Sequence, residues 1–291
     1  MSPRLALASL VCIAVACARP APRANPAARP DAAAVAVVTP DRLDPPWEIR
    51  AATGGITQRL RIVSELESRI DTVLRRDSSV LELGLTWSRL SGAAPERIYG
   101  LLTSVRLGET DSLLATPAGM LVPMPFSATR SEAGGAELSA PDLSSCAATA
   151  ALVAPLREAL IFPPRRLTPG LVWSDSSIVT VCRDSIPLTV ATQRQYRVLS
   201  AQVEGSEVVV LLQRDTRLQM EGRGTQFGEP IEISAEGEGS MSLVLRLAGA
   251  YLLRANGEQE LRMTMRGRRR TQELRQRSRI EIIQPDSAAS P

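Results

Sequence analysis

The sequence predicts a mainly β protein with one large antiparallel sheet and one packed α-helix. Between about residues 171 and 283, apolar residues recur at alternate positions, as Leu261 and Met263 do. A period of two places such residues on one face of a pleated strand, so the sheet should have a dry face and a wet face. Turn residues separate the alternating segments, for example at Glu204-Gly205. One segment has a helical period instead.

The alternation is clearest in the second half of the chain. Four runs each keep their apolar residues on one parity: Ile186, Leu188, Val190, Tyr196 and Val198; Met241, Leu243, Leu245 and Leu247; Leu261, Met263 and Met265; Leu274, Ile280 and Ile282. Asn256-Gly257 lies between Tyr251–Arg254 and the third run, and both residue types tolerate the positive φ of a two-residue turn. We therefore expect a hairpin at Asn256-Gly257 and another at Glu204-Gly205.

Four earlier segments are also predicted to be strands: Trp47–Ala52, Leu60–Thr72, Leu81–Trp87 and Tyr99–Leu107. The pattern of Leu60–Thr72 fits a helix as well, and a strand is favoured because its apolar residues largely keep one parity. The three prolines of Leu113–Pro125 predict a loop that leads into a short edge strand. Gly134-Gly135 within Ala128–Pro141 predicts an exposed loop.

The predicted helix runs from Cys146 to about Ile161 and ends before Pro163-Pro164. Pro155 lies inside it and should kink it. An apolar stripe follows the helical period: Leu152, Val153, Leu156 and Leu160. Because this stripe needs a dry partner, we expect the helix to lie against one face of the sheet.

Residues 1–16 have the features of a secretory signal peptide, with an early charge at Arg4 and an apolar run over Leu5–Ala16. This run is too short for a bilayer span, which takes roughly 20 apolar residues. It ends at Ala14-Val15-Ala16-Cys17, which resembles the lipobox of bacterial lipoproteins. The resemblance implies that Cys17 becomes the first mature residue and carries lipid, such as palmitate. The alternatives are a soluble exported protein, because Ala14-Val15-Ala16 also satisfies the rule of ordinary signal cleavage, and an uncleaved anchor.

The chain divides into four predicted parts. Residues 1–16 are the signal peptide, and residues 17–46 hold the lipid attachment site and an Ala-, Pro- and Arg-rich tether that is expected to be disordered. Residues 47–284 are long enough for a single β-rich domain, and residues 285–291 form a disordered tail. The lipoprotein resemblance implies an exported protein anchored by lipid in the bacterial cell envelope, at the outer membrane and facing the periplasm.

Cys146 and Cys182 are the cysteines that remain outside the leader and the lipobox. In an exported chain, two such residues predict a disulfide, here between the helix start and the end of the strand that contains Trp173. Unpaired buried thiols are the alternative. A metal site is not expected, because the chain has no histidine to complete one.

The chain contains neither histidine nor lysine. This excludes Ser-His-Asp triads, Cys-His pairs and lysine Schiff bases, so we expect no enzymatic activity, no catalytic residues and no cofactor. One segment concentrates carboxylates: Glu229, Glu232, Glu236 and Glu238. A glycosidase-like pair or a Ca²⁺ site could use such residues. The solvated face of a strand is the favoured interpretation.

Arginines are concentrated near the C-terminus: Arg266, Arg268, Arg269, Arg270, Arg275, Arg277 and Arg279. The last three share one parity, as the wet face of a strand would. A sharper hypothesis makes the group a patch for anionic lipid headgroups, lipopolysaccharide or cell-wall polymers. Nucleic acid is not an expected partner, because the chain is predicted to be exported and its net charge is only +3.

The tether, the long antiparallel sheet and the single helix are together similar in layout to the half-barrel carriers of the LolA-like and LolB-like families, although no motif is shared. The resemblance implies a curved or half-barrel-like sheet whose concave face could hold acyl chains, with the helix as a lid. The leading hypothesis is therefore a membrane-anchored lipoprotein that binds or carries a lipid-like ligand. A non-catalytic envelope scaffold with a filled concave face is the alternative. A carboxylate-based hydrolase is the third hypothesis.

Overall fold

The computed structural model describes residues 43–49, 55–70, 73–90, 97–107, 123–130, 134–139, 148–183, 186–205, 207–226, 228–268 and 270–284. The strands are β1 (Trp47–Glu48), β2 (Ile56–Ile70), β3 (Val73–Leu90), β4 (Arg97–Leu107), β5 (Met124–Arg130), β6 (Ala136–Ser139), β7 (Arg166–Leu167), β8 (Val172–Arg183), β9 (Ile186–Glu204), β10 (Glu207–Gln226), β11 (Glu229–Arg246), β12 (Tyr251–Gly267) and β13 (Thr271–Ile283). The helix α1 (Ala148–Ala159) lies between β6 and β7 in the chain.

Eleven of these strands form one antiparallel sheet, in the order β6-β5-β4-β3-β2-β13-β12-β11-β10-β9-β8. β1 and β7 pair separately. The predicted fold class, mainly β with a large antiparallel sheet and one packed helix, is confirmed. The sheet consists of two runs of neighbouring strands, β2 to β6 and β8 to β13, which are joined where β2 pairs with β13.

Alternation along the strands gives the sheet a buried inner face and an exposed outer face. In β9, every second residue from Ile186 to Val198 is buried, whereas the residues between them are exposed or partly exposed. The same period runs through the 20 residues of β10, interrupted by a register shift between Leu211 and Leu212. The long strands therefore follow directly from the predicted period of two.

The inner face carries two apolar clusters. The larger one surrounds Leu156 of α1 and includes residues from most strands, among them Leu60, Leu85, Leu102, Tyr196, Leu212, Leu243, Leu252 and Ile282. The smaller one lies at the other end of the long strands and contains Ile186, Leu188, Val190, Met220, Ile233, Ala235, Leu261, Met263 and Leu274. Thr192 and Arg194 of β9 lie between the two clusters and are also buried.

The helix confirms the sequence prediction in position and in packing. It spans Ala148–Ala159, contains Pro155 and buries Leu156 completely, with 0% of this residue exposed. The segment that follows it contacts the edge strand β6, because Gly135 N donates to Phe162 O at 2.7 Å. The sheet is thereby nearly closed on itself, with α1 inside. No helix in the described part of the chain has both the length and the apolar composition needed to cross a bilayer.

The predicted hairpin at Asn256-Gly257 is wrong, whereas the one at Glu204-Gly205 is confirmed. β12 continues through Asn256-Gly257, and the turn before it contains Gly249 and Ala250, whose φ values are 84° and 50°. β11 pairs with β12 on one side of this dipeptide and β13 pairs on the other, so ladder hydrogen bonds override the local turn preference. Gly205 has a φ of 62° and joins β9 to β10.

Gly257 instead serves a close approach between strands, and Gly257→Ala should destabilise the domain. A Cβ atom there would lie 2.3 Å from the Ser240 carbonyl oxygen and 2.7 Å from Met241 Cα. Because backbone atoms cannot yield as side chains do, we expect the free energy of unfolding to fall by about 1 to 3 kcal/mol in chemical denaturation.

Gly55→Ala is the matched control for this prediction. Its added Cβ would find its nearest neighbour, the Trp87 carbonyl oxygen, at 3.9 Å. The control should change the free energy of unfolding by less than about 0.5 kcal/mol. Equal stabilities of the two variants would contradict the close approach at Gly257.

Two further predictions about the N-terminal half need correction. The predicted exposed loop over Ala128–Pro141 is wrong where it is described, because β5 extends to Arg130 and pairs with β6. Gly134-Gly135, with φ values of 93° and 77°, lies directly before β6 rather than in a long loop. The strand predicted over Trp47–Ala52 is described only as the two residues of β1. The strand interpretation of Leu60–Thr72 is confirmed by β2.

Candidate functional site

Charged side chains attach α1 to the inner face of the sheet. Glu158, near the end of the helix, accepts hydrogen bonds from Arg194 of β9 and Arg214 of β10. The distance from Arg194 Nη2 to Glu158 Oε1 is 3.2 Å, and Arg194 Nη1 donates to Ser177 Oγ at 3.0 Å. Both arginine side chains are only 4% exposed. One carboxylate is therefore the acceptor for two buried guanidinium groups.

Arg157, the preceding helix residue, makes the second attachment. Its Nη2 donates to the carboxylate of Asp175 on β8 and to the carbonyl of Ala136 on β6. Because β6 and β8 are the two edges of the large sheet, this one side chain contacts both edges. The five charged residues that join α1 to the sheet are called the helix–sheet charge cluster: Arg157, Glu158, Asp175, Arg194 and Arg214.

Burial and neighbouring charge shift the protonation of these groups in different directions. Burial alone would raise the pKa of Glu158, but the charges and hydrogen bonds of Arg214 and Arg194 outweigh it and lower that pKa to about 2. Burial raises the pKa of Asp175 in spite of its arginine neighbours. Burial also raises the pKa of the Tyr196 hydroxyl beside the cluster. Glu158 is thus ionised, and Tyr196 neutral, near pH 7.

The helix–sheet charge cluster was not predicted from the sequence. Arg194 lies on the buried parity of β9, between Val190 and Val198, and the same holds for Arg214 in β10. A charge on the buried parity was the available signal, because a buried charge needs a partner. In the helix–sheet charge cluster, each carboxylate is paired with guanidinium groups, so the cluster can bind and orient a charged group of a ligand. It contains no nucleophile activated by a base.

The structure divides the predicted arginine patch. Arg277 Nη2 contacts Glu258 Oε2 at 2.5 Å on the outer face, and Arg279 lies opposite Glu258 and Glu65 in the register. These two arginines therefore have acidic neighbours, and so does Arg266, which lies opposite Glu232 in the register. All the described members of the patch are exposed: Arg266, Arg268, Arg270, Arg275, Arg277 and Arg279. Arg269 lies outside the described residues.

Arg275 belongs to a row of three arginines on neighbouring strands. It pairs in the register with Arg262 of β12 on one side and with Arg69 of β2 on the other. All three residues are exposed on the outer face, and we call them the arginine row. Arg262 Nε also lies 3.5 Å from Glu260 Oε1. Within the described part of the chain, Arg69 and Arg275 form no ion pair.

Three of the four candidate carboxylates, Glu232, Glu236 and Glu238, lie on the outer face of β11, as the favoured interpretation predicted, whereas Glu229 is at the start of the strand on the parity of Ile231 and Ile233. Glu232 binds Arg223 at 2.8 Å, and Glu229, Glu236 and Glu238 are exposed. Glu238 lines an open polar trough of about 1000 Å³ that crosses β8 to β13 and also contains Glu258 and Arg277. Among the described residues, no group of three or more acidic or cysteine side chains is arranged to hold a metal ion.

The predicted cysteine sites fall largely outside the described residues. Cys17 and Cys146 are both outside them, so lipidation and the disulfide remain predictions. Cys182 lies near the end of β8, the strand that contains Trp173, and its backbone pairs with Pro187. This placement agrees with the strand assignment on which the predicted disulfide depends.

Neither a known protein family nor a curated protein matches this sequence. Among solved structures, the chain is similar to the crystal structure of OccK2 (OpdF) from Pseudomonas aeruginosa, with 8% sequence identity and a TM-score of 0.17. The alignment covers 79% of this chain and 97% of that chain. A TM-score this low does not establish a shared fold, so the similarity supports no conclusion about the family of this chain.

Proposed function

We propose that this chain is an exported, lipid-anchored and non-catalytic protein of the bacterial cell envelope whose outer sheet face binds an anionic membrane surface. The anchor and the envelope address rest on residues 1–16 and on the lipobox resemblance at Cys17. The observation that carries the membrane contact is the arginine row, Arg69, Arg275 and Arg262, on three neighbouring strands.

Repulsion within the arginine row lowers the stability of the isolated domain. Directly opposed side chains of neighbouring strands have Cβ atoms about 5 Å apart, and like charges at that distance destabilise a sheet. An anionic surface would remove this repulsion. Three more exposed arginines lie at the end of β12 and just before β13: Arg266, Arg268 and Arg270. The row and this turn lie at the same end of β12 and β13, and the register places Glu236 opposite Arg262 and Glu232 opposite Arg266 at the border with β11.

A lipid anchor and a basic region would reinforce each other. One acyl chain gives only marginal membrane binding, whereas a chain combined with a polybasic patch gives stable binding. Each arginine near an anionic leaflet contributes about 1 kcal/mol of binding free energy, and salt screens this contribution. The predicted tether over residues 17–46 would allow the domain to reach the surface to which the anchor attaches it.

Binding to anionic vesicles tests the proposal. The mature chain with Cys17→Ser, which removes the contribution of the anchor, should bind vesicles of phosphatidylcholine and phosphatidylglycerol and release them at high salt. The triple variant Arg69→Gln, Arg262→Gln and Arg275→Gln should bind on the order of 100-fold more weakly, because it loses about 1 kcal/mol per arginine. Cosedimentation measures both affinities. In cells, Cys17→Ser should also fail to incorporate labelled palmitate.

A matched triple variant separates the arginine row from total charge. Arg59, Arg61 and Arg106 are exposed on the outer face away from the row, and their replacement by Gln removes the same formal charge. This control should keep most of the vesicle binding. Equal losses in the two triple variants, or binding to vesicles of phosphatidylcholine alone, would overturn the proposed contact.

The lipid-carrier hypothesis requires free space for acyl chains on the inner face of the sheet. Leu156 and Val153 of α1 are 0% and 2% exposed, and the helix fills the space that acyl chains would need. A ligand on this face would have to displace α1 and separate Glu158 from Arg194 and Arg214. The filled face therefore favours the interaction protein over the carrier, and carriage of a lipid-like ligand stays a prediction.

A further inference from the structure

The helix–sheet charge cluster has a surplus of positive charge. It contains three guanidinium groups, on Arg157, Arg194 and Arg214, and two carboxylates, on Glu158 and Asp175, so its formal charge is +1. The three arginine side chains are 3%, 4% and 4% exposed. Arginine stays protonated at any pH that proteins tolerate, so the surplus cannot be removed by losing a proton.

Two of these guanidinium groups also have unused donors. The Nε and Nη1 groups of Arg157 and of Arg214 are buried and have no hydrogen-bond acceptor among the described residues. Arg214 Nη2 has the Met241 sulfur at 3.3 Å as well as Glu158, and the Phe162 ring lies 5.7 Å from Arg157 Cζ. The Tyr196 hydroxyl also interacts with Arg214 by hydrogen bonding, but it is neutral near pH 7. A thioether and an aromatic ring are weak partners for a cation, so none of these groups supplies a full negative charge.

A buried cation without a counter-charge is one of the most costly features that a folded protein can contain. The donors could be satisfied by water, but water would leave the charge uncompensated. We propose that the helix–sheet charge cluster binds one small monovalent anion, chloride under ordinary conditions, through the unused N–H groups of Arg157 and Arg214. One negative charge makes the cluster neutral and provides an acceptor for the orphaned donors.

The size of the anion follows from the packing around the cluster. Leu156, Leu160 and Phe162 are buried in the larger apolar cluster close to Arg157 and Glu158 in the sequence, so the guanidinium groups belong to a closely packed interior that favours a small anion. A fourth buried arginine, Arg130, lies opposite Ala136 in the register, has a partner of its own and is not one of the five residues of the cluster. This site lies inside the sheet and is independent of the membrane contact proposed for the outer face.

Thermal unfolding of the mature chain tests the proposed anion site. Chloride is exchanged for gluconate, which is too large for the packed interior, at constant sodium concentration and constant ionic strength. We expect little change in Tm below the Kd for chloride and a rise of roughly 3 to 5 °C for each tenfold increase above it, because an anion that binds only the folded state stabilises it. Crystals soaked in bromide should show an anomalous peak against Arg157 or Arg214.

Two variants connect the effect to the cluster. Arg214→Met removes the surplus charge and should abolish the response to chloride, whereas Arg223→Met, at an exposed pair on the outer face, should keep it. If Arg214→Met does not fold, Glu158→Gln raises the surplus to +2 and should give a larger response to chloride than the natural chain. A Tm that is equal in chloride and gluconate, or a response that Arg214→Met retains, would overturn the proposal.

Discussion

Leu156→Arg is expected to unfold the domain. The Leu156 side chain is completely buried at the centre of the larger apolar cluster, inside a nearly closed sheet. A guanidinium group placed there would lose its hydration and find no free carboxylate, because Glu158 and Asp175 already have arginine partners. Removing the leucine side chain alone, in Leu156→Ala, should cost about 2 to 5 kcal/mol, and the buried charge adds several more. Circular dichroism and chemical denaturation measure both effects.

Leu199→Arg is the control for this substitution. Leu199 lies on the outer side of β9 and is 48% exposed, so the same change should alter stability by less than about 0.5 kcal/mol. A Leu156→Arg protein that folds normally would show that α1 is not part of a closed core. If the natural protein also copurified with phospholipid or fatty acid and the variant lost it, the carrier hypothesis would replace the filled-core interpretation.

Glu158→Gln is expected to destabilise the domain by about 3 to 5 kcal/mol. Glu158 is the acidic partner of both Arg194 and Arg214, so its neutralisation leaves two buried guanidinium groups without a counter-charge. Glu232→Gln is the matched control. It removes the same charge from an ion pair with Arg223, but that pair is exposed and should contribute no more than about 1 kcal/mol.

The pH dependence of stability gives this prediction a second readout. The pKa of Glu158 is about 2 in the folded protein and 4.5 in its reference state. Its contribution is therefore complete above pH 4.5 and is lost as the pH falls to 2, at up to about 1.4 kcal/mol per pH unit. Burial raises the pKa of Asp175 and acts in the opposite direction, so the comparison with Glu158→Gln is needed to isolate the effect. Parallel pH profiles for the two proteins would contradict the assigned ion pairs.

Features that depend on local periodicity could be predicted from the sequence. The alternating runs became long strands, and the apolar stripe around Leu156 became α1, because burial acts on one face of each element. The turn at Glu204-Gly205 was predictable as well. Here β9 and β10 pair with each other up to the turn, and no third strand in the described part of the chain pairs across it. The identical logic failed at Asn256-Gly257, where β11 and β13 supply hydrogen-bond partners that lie far away in the sequence.

The candidate sites were only partly predictable, because the role of a charged residue depends on which residues surround it in the folded chain. The arginines of β13 were identified as a group, but only the strand register shows that Arg275 lies between two arginines, whereas Arg277 lies beside Glu258. Arg69 could not be assigned to this region from sequence, because it is about 200 residues away from its neighbour Arg275. The pairing of Glu158 with Arg194 and Arg214 required the position of α1 inside the sheet.

The pairing of β2 with β13 has a kinetic consequence. Ile62 lies opposite Ile282, so the two halves of the sheet meet through contacts of very large sequence separation, and β13 is synthesised about 200 residues after β2. Loop closure over such a distance must precede the stabilisation that it brings, and topologies of this kind fold slowly. Until β13 is available, the edge of β2 stays unpaired and open to other chains. For the proposed export of this chain, such a delay would be an advantage, because the core cannot be completed before β13 has emerged.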